Sequence, residues 1–414
     1  MAWQVTAYLA LARSLGLLAP RFLRRRLAKG REDPQRWREK LGHATALRPE
    51  GRLVWLHAVG LGEVMALRGL IQAMAAEDPL LNFLITSMAR SSAQVVAGNL
   101  PLRTQHQFLP LDAPRFVARF LNHWRPDLAI WSEQDLWPAA VLAADRRGIP
   151  LALVNARMNA AAFQRRRRIR GLLAQLYPRF RITTAQDAET ARHLTQLGAK
   201  DVEVSGSFKA TSPPLGHDAD VLSDLQRKVF GRALWLLASS HAEDEAVALQ
   251  VQADLWSTDQ SALLVMAPRQ PDRWPEIAAA AEAHQLPLTR RRAGEDPGGA
   301  IYLADTFGEM GLWYRLCPVT LMGGTFGPVE GHNPWEAAAL GSAILHGPHL
   351  RNFAADYAVL DGSGAAVEVS PLTLADALDR DLGEVSARAQ DLWRGAAGSL
   401  VPLARRLVAL VPAR

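Results

Sequence analysis

From Leu53 onward, short apolar runs alternate with longer amphipathic stretches, and this alternation leaves few folds open. A run that is apolar at every position reads as a strand buried on both faces, which requires helices on both sides of a parallel sheet. The runs fall at residues 53–56, 83–86, 108–111, 128–131, 151–154, 182–185 and 202–205. After a Pro/Gly-rich break at 211–216 they resume at 234–238, 263–267, 301–303, 319–322, 343–345 and 366–369. Helical stretches, such as 63–74 and 185–197, fall between them. Two Rossmann-like α/β domains follow, with expected bounds 33–210 and 217–414 behind an N-terminal segment 1–32. Residues 290–299 read as a polar surface loop.

The 414 residues, 49% of them hydrophobic and 21% charged, suffice for two full cores. The single cysteine, Cys317, implies a reducing compartment and excludes a disulfide framework. A net charge of +6 suggests an anionic partner, and the basic residues gather in two places. One is Arg21, Arg24, Arg25, Arg26, Lys29 and Arg31; the other is Arg165 to Arg168 with Arg170. The first cluster follows an apolar segment, Met1 to Pro20, that lacks a basic leader region and carries Arg13 near its middle. A charge at that depth disfavours a span, so the expectation is a helix lying in the membrane surface with its arginines on lipid headgroups. The rest of the chain is then expected on the cytoplasmic face.

In open α/β sheets, ligands gather beyond the carboxyl ends of the strands. Glu63 follows the first strand through Gly60-Leu61-Gly62, a turn too poor in glycine to be a dinucleotide fingerprint. Glu133 and Asp135 follow the strand at 128–131, and Lys209 closes the first domain, where it would neutralise an anionic ligand. The second domain offers Ser240-His241, Pro268-Arg269 and the stretch from Asp305 to Met310, including Gly308 and Glu309. Arg269 suits a phosphate, and main-chain groups near Gly308 and Met310 suit a base. In the stretch from Leu321 to Phe353, Gly323-Gly324 turns the chain after a strand, and Asn333-Pro334-Trp335-Glu336 predicts a capped helix start. Such a start favours an anion, while a bare helix cap is the bland reading of Asn333 and Glu336. His332 and His349 sit on the flanking loops. No histidine or cysteine spacing matches a metal site, and no phosphate-binding loop or nucleophile elbow is present.

Taken in order, these motifs resemble the 3-deoxy-D-manno-octulosonic acid (Kdo) transferases of lipopolysaccharide synthesis. The resemblance covers Asp33-Pro34, Arg36 to Gly42, His57 to Glu63, Glu133 to Pro138, Asn155-Ala156-Arg157 and Gly206 to Lys209. It continues through Pro268-Arg269, Asp305 to Met310, Gly331 to Glu336, Gly347-Pro348-His349 and Asn352-Phe353. Gly60, Ala139, Gln270 and Glu330 depart from the family's usual serine, asparagine, histidine and glycine. The resemblance implies a GT-B fold, two Rossmann-like domains around a cleft, with an inverting transfer from CMP-Kdo to an anionic lipid A precursor that needs no bound metal or cofactor. By position it implies Glu63 as the general base and Glu133 and Lys209 as transition-state stabilisers. Pro268, Arg269, Gly308, Glu309, Met310, Asn333, Pro334, Trp335 and Glu336 correspond to the CMP site. A GT-B enzyme using another sugar nucleotide or acceptor, or a non-catalytic lipid-binding relative, are the rival readings; nothing indicates a nucleic-acid partner.

Overall fold

A computed structural model describes residues 3–88, 100–133 and 135–413; of the motif 133–138, Gln134 lies outside the described residues. The chain divides into two compact units, Met1–Ser212 with Gly398–Arg414, and Pro213–Ala397.

The first unit holds a seven-stranded sheet whose neighbours are all parallel. Its strands are β1 (Leu53–His57), β2 (Asn82–Ser87), β3 (Thr104–Phe108), β4 (Leu128–Ser132), β5 (Leu151–Ala156), β6 (Ile182–Ala185) and β7 (Val202–Val204), in the order β3-β2-β1-β4-β5-β6-β7. The strand order reverses between β1 and β4, the switch point of a doubly wound fold. Helix α1 (Trp3–Ala28) is not a separate segment: it buries Val5, Leu9, Gly16, Ala19 and Leu23 against this unit. Its other side leaves Trp3, Leu11, Leu15, Leu17, Leu18 and Phe22 exposed. No helix among the described residues is long and apolar enough to cross a membrane.

The second unit repeats the design with β8 (Ala233–Ser240), β9 (Ala262–Pro268), β10 (Leu288–Arg290), β11 (Ile301–Leu303), β12 (Val319–Met322), β13 (Ala343–His346) and β14 (Ala366–Glu368). Their order is β10-β11-β9-β8-β12-β13-β14, again all parallel, with the reversal between β8 and β12.

The sequence expectations are corrected at the edges. The strand expected at 108–111 is Thr104–Phe108, because Pro110 has no N–H to give a ladder and β3, as an edge strand, tolerates polar residues. Likewise β10 (Leu288–Arg290) takes up Arg290, the first residue of the expected loop, at the corresponding edge of the other sheet. The second domain was expected to reach residue 414, yet its compact unit ends at Ala397. The final helix, Leu400–Val408, presents Leu400, Leu403, Ala404 and Leu407 at helical spacing and buries them in the first unit's core beside Leu67 and Leu70.

Candidate functional site

In the first unit, the switch point explains why residues distant in sequence share one environment. Glu63 lies in the first turn of helix α2 (Leu61–Glu77), directly after β1, and Glu133 follows β4, the strand paired with β1. Glu63 is fixed by folding back on its own helix start: its Oε2 accepts the Val59 N–H at 2.8 Å. Glu133 holds a left-handed backbone, φ 62°, and its N–H reaches the Val154 carbonyl at 3.1 Å. A β-carbon makes that conformation costly, so it marks a position where geometry outweighs local comfort.

Burial pushes the Glu133 carboxyl up to about 7, and the Glu63 charge adds to the rise; Lys209 and Arg157 pull the other way. With Asp135, which adds a smaller rise, four charged groups act on this one carboxyl. Asn155 is also left-handed, φ 54°, at an irregularity in the β5–β6 pairing. Its buried Oδ1 accepts the Phe208 N–H at 3.0 Å and so pins the short 3-10 turn Phe208–Thr211, which carries Lys209. A buried carboxyl with a raised pKa, with a second carboxylate and two cations acting on it, is equipped for proton transfer.

His57 belongs to the support. Its Nδ1 lies 3.1 Å from the Thr86 carbonyl, and its Nε2 accepts the Trp137 indole N–H at 2.9 Å. An indole can only donate, so the imidazole proton sits on Nδ1. Burial lowers the ring's pKa to about 4 and keeps it neutral. The pair fastens the loop after β4 to the end of β1.

In the second unit, β8 ends at Ser240-His241 and β12 leads into Gly323-Gly324, again on either side of the reversal. Buried Asp244 organises both loops: its carboxylate accepts N–H groups from His241 at 3.0 Å, Gly324 at 2.6 Å and Phe326 at 3.1 Å. A β-carbon on Gly323 would stand 2.4 Å from the Ser239 carbonyl oxygen, which is why glycine is required there. The Nε2 atoms of His241 and His332 meet at 2.9 Å. Burial lowers the His332 pKa to about 4, with His241 and Arg269 adding to the effect. Arg269 follows buried Pro268 at the end of β9; its backbone N–H bonds the Ser240 carbonyl at 3.1 Å and its side chain is exposed.

Gly308, at φ 87°, turns the chain into the helix Met310–Leu316. The Glu309 carboxylate is already engaged by Arg291 at 2.8 Å and by the Thr306 hydroxyl. Burial would raise Glu309, and these bonds outweigh it and hold the group below the usual carboxylate range. The expected capping box is not formed. The helix runs Trp335–Leu340 with Pro334 as its N-cap and no side-chain cap bond. Because Pro334 offers no N–H, Asn333 Oδ1 instead accepts from Trp335 at 3.2 Å in a tight turn. Trp335 is buried and donates its indole N–H to Asp356 at 2.8 Å. Burial and then the Glu336 charge raise the Tyr314 hydroxyl, which sets Glu336 beside the helix that begins at Met310.

Within the first unit, Glu63, Glu133 and Lys209 thus converge. Within the second, Arg269 adjoins His332, and the loops of Gly308 to Met310 and Asn333 to Glu336 adjoin through Tyr314. Asp112, which accepts the Ala139 and Ala140 N–H groups, plays the same part in the first unit; neither it nor Asp244 is legible in the sequence, since a lone aspartate near a helix start gives no sign of which distant N–H groups it will meet. Among the described residues, no group of three His, Cys, Asp or Glu side chains could hold a metal ion.

Comparison with known proteins gives a consistent result. A sequence-family model described as 3-Deoxy-D-manno-octulosonic-acid transferase (kdotransferase) matches residues 35–212. A probable mitochondrial 3-deoxy-D-manno-octulosonic acid transferase of Arabidopsis thaliana is 32% identical over 363 residues, covering 84% of this chain and 80% of its own. The 3-deoxy-D-manno-octulosonic acid transferase of Rickettsia bellii is 31% identical over 327 residues, 78% of each chain. Among solved structures, UDP-GlcNAc 2-epimerase from Neisseria meningitidis, bound to UDP-GlcNAc, matches with TM-score 0.55 at 13% identity, covering 87% of this chain and 98% of the other. A glycosyltransferase from Rickettsia africae matches with TM-score 0.51 at 11% identity, covering 87% and 96%. The two parallel-sheet units have the architecture of GT-B glycosyltransferases.

Proposed function

Since the chain belongs to the 3-deoxy-D-manno-octulosonic acid transferase family, we propose that it moves Kdo from CMP-Kdo to a hydroxyl of a lipid A precursor, with inversion, at the cytoplasmic face of the inner membrane. Glu63 takes the proton of the acceptor hydroxyl as its oxygen attacks the anomeric carbon, and CMP departs with the bonding electrons. Glu133 and Lys209 stabilise the charge that develops during this exchange. In the second unit, Arg269 meets the CMP phosphate, main-chain groups of Gly308, Glu309 and Met310 meet the base, and Pro268 and the turn Asn333-Pro334-Trp335-Glu336 complete the donor site. Glu309 takes part through its backbone, because its carboxylate is bound to Arg291. Helix α1 supports the membrane reading: Trp3, Leu11, Leu15, Leu17, Leu18 and Phe22 are exposed beside Arg13, Arg21, Arg24 and Arg25, a composition suited to an anionic bilayer surface.

The observation that carries the mechanism is the Glu63–Glu133 relationship, in which the negative charge of one carboxylate helps to raise the other to about 7. Purified protein incubated with CMP-Kdo and lipid A precursor should release CMP, and Glu63→Ala should slow this by about 10² to 10⁴-fold. Undiminished release from the variant would sink the role of Glu63. Release from a UDP-sugar in place of CMP-Kdo would reassign the donor.

A further inference from the structure

The arginine cluster at 165–170 is not used by the chemistry above, and we propose that it forms a binding ridge for the phosphate groups of the acceptor glycolipid. This rests on the acceptor reading just given. The ridge joins the end of helix α3 (Ala160–Arg167) to the start of α4 (Arg170–Leu176) through Arg168 and Ile169. Arg165, Arg167, Arg168 and Arg170 are all exposed. Among the described residues, the ion pair formed here is that of Arg166 with Asp135, at 3.4 Å; no carboxylate pairs with the other four.

Stability does not explain the arrangement. Cations at the end of α3 gain from the helix dipole, but Arg170 stands at the start of α4, where the same dipole opposes it. Consecutive arginines without counter-charges repel one another, a cost that a bound dianion would remove. Guanidinium groups also suit phosphate geometry better than ammonium groups do.

Location narrows the ligand. At one end, Arg166 meets Asp135, two residues from Glu133. At the other, Gly171 lies against the Gln4 side chain of α1 so closely that a β-carbon there would stand 2.2 Å from Gln4 Oε1. The ridge therefore lies between the carboxyl pair and the helix with the exposed apolar side chains. A lipid with its sugar hydroxyl at Glu63 and its acyl chains toward Trp3 would bring its phosphates to these arginines, and exposed Ile169 offers an apolar contact among them.

The test uses the full chain in neutral detergent micelles with two acceptors, the phosphorylated lipid A precursor and the same glycolipid after phosphatase treatment. In Arg165→Gln/Arg168→Gln/Arg170→Gln, the KM for the phosphorylated acceptor should rise roughly tenfold or more with kcat retained. The KM for the treated acceptor should not move, and lysines at the same positions should restore much of the loss. An equal rise for both acceptors would overturn the proposal. So would an unchanged KM accompanied by lost binding to phosphatidylglycerol vesicles, which would assign the ridge to bulk headgroups. If the wild type does not turn over, the transferase reading itself fails; equilibrium binding of the two glycolipids then tests the ridge alone, and equal affinities of wild type and variant would reject it.

Discussion

Tyr8 donates its phenol to Asp112 Oδ2 at 2.7 Å, and the same carboxylate accepts the Ala139 and Ala140 N–H groups at 2.8 and 2.9 Å. One buried aspartate thus ties the N-terminal helix to the helix that begins at Pro138, just beyond the Glu133 loop. Asp112→Ala leaves two helix-start N–H groups and a phenol without their acceptor, so it should cost roughly 2–4 kcal/mol in urea unfolding. Tyr8→Phe removes one bond and should cost about 1 kcal/mol. The two losses should be less than additive in the double variant, because they share a partner.

The Glu133 carboxyl, raised to about 7 by burial and by Glu63, predicts opposite effects on activity and stability. Its stabilising role requires the anion, so kcat should climb with pH through about 7 and then level, and Glu133→Gln should lose that limb. For folding the sign is reversed. An acid with a raised folded pKa contributes stability below its ordinary value and loses it as pH rises through 7. Glu133→Gln should therefore melt higher than wild type at pH 8 while turning over more slowly.

Much of this was legible in the sequence, for a physical reason. Strands buried on both faces, such as Leu53–His57 and Leu128–Ser132, must be apolar at nearly every position, so they stand out as runs. The edge strands Thr104–Phe108 and Leu288–Arg290 escape that constraint and left no such mark. Glu63 and Glu133 are legible as charged residues that follow strands, and Lys209 as a cation at the end of the first domain's series. What linked them was not visible: the left-handed Asn155, which pins the Lys209 turn, and Trp137, which fixes the tautomer of His57, act through contacts that no local pattern encodes. The capping motif at Asn333 shows the converse error, where a correct local signal met a proline that moved the helix start.

His57 gives a second pH signature. Its folded pKa is lowered by burial from 6.5 to about 4, so the unfolded chain binds more protons between these values. Its contribution is full above 6.5, declines as pH falls and is gone near 4, an interval worth about 3 kcal/mol. Comparing unfolding free energies of wild type and His57→Asn from pH 7 to 4 should show the wild type losing more. Parallel curves would mean that the ring binds protons equally in the folded and unfolded states, so that burial does not lower its pKa.

Glu336 separates a structural role from a donor-binding role. Glu336→Gln keeps the length of the side chain and leaves the Asn333–Trp335 turn in place, so it should shift stability by no more than about 0.5 kcal/mol. If its carboxylate helps to hold CMP, titration calorimetry should show affinity weakened by roughly tenfold, the value of one charge-assisted bond. A stability loss with intact CMP affinity would return the residue to helix capping.

Gly69 tests whether Lys209 is held by packing. It lies within α2, where a β-carbon would stand 2.2 Å from the Thr211 carbonyl oxygen at the end of the Phe208–Thr211 turn. Backbone cannot yield as a flexible side chain does, so Gly69→Ala must displace the turn or the helix and should cost about 1–3 kcal/mol. Since Asn155 holds the turn's other end, the displacement falls on Lys209, and kcat should drop by more than stability alone explains at a temperature where the variant is folded. Gly62→Ala, in the same helix with nothing within 4 Å of the added carbon, serves as the control and should leave stability unchanged or slightly improved. Equal kcat losses in both variants would show that the helix start, rather than the Lys209 turn, is the sensitive element.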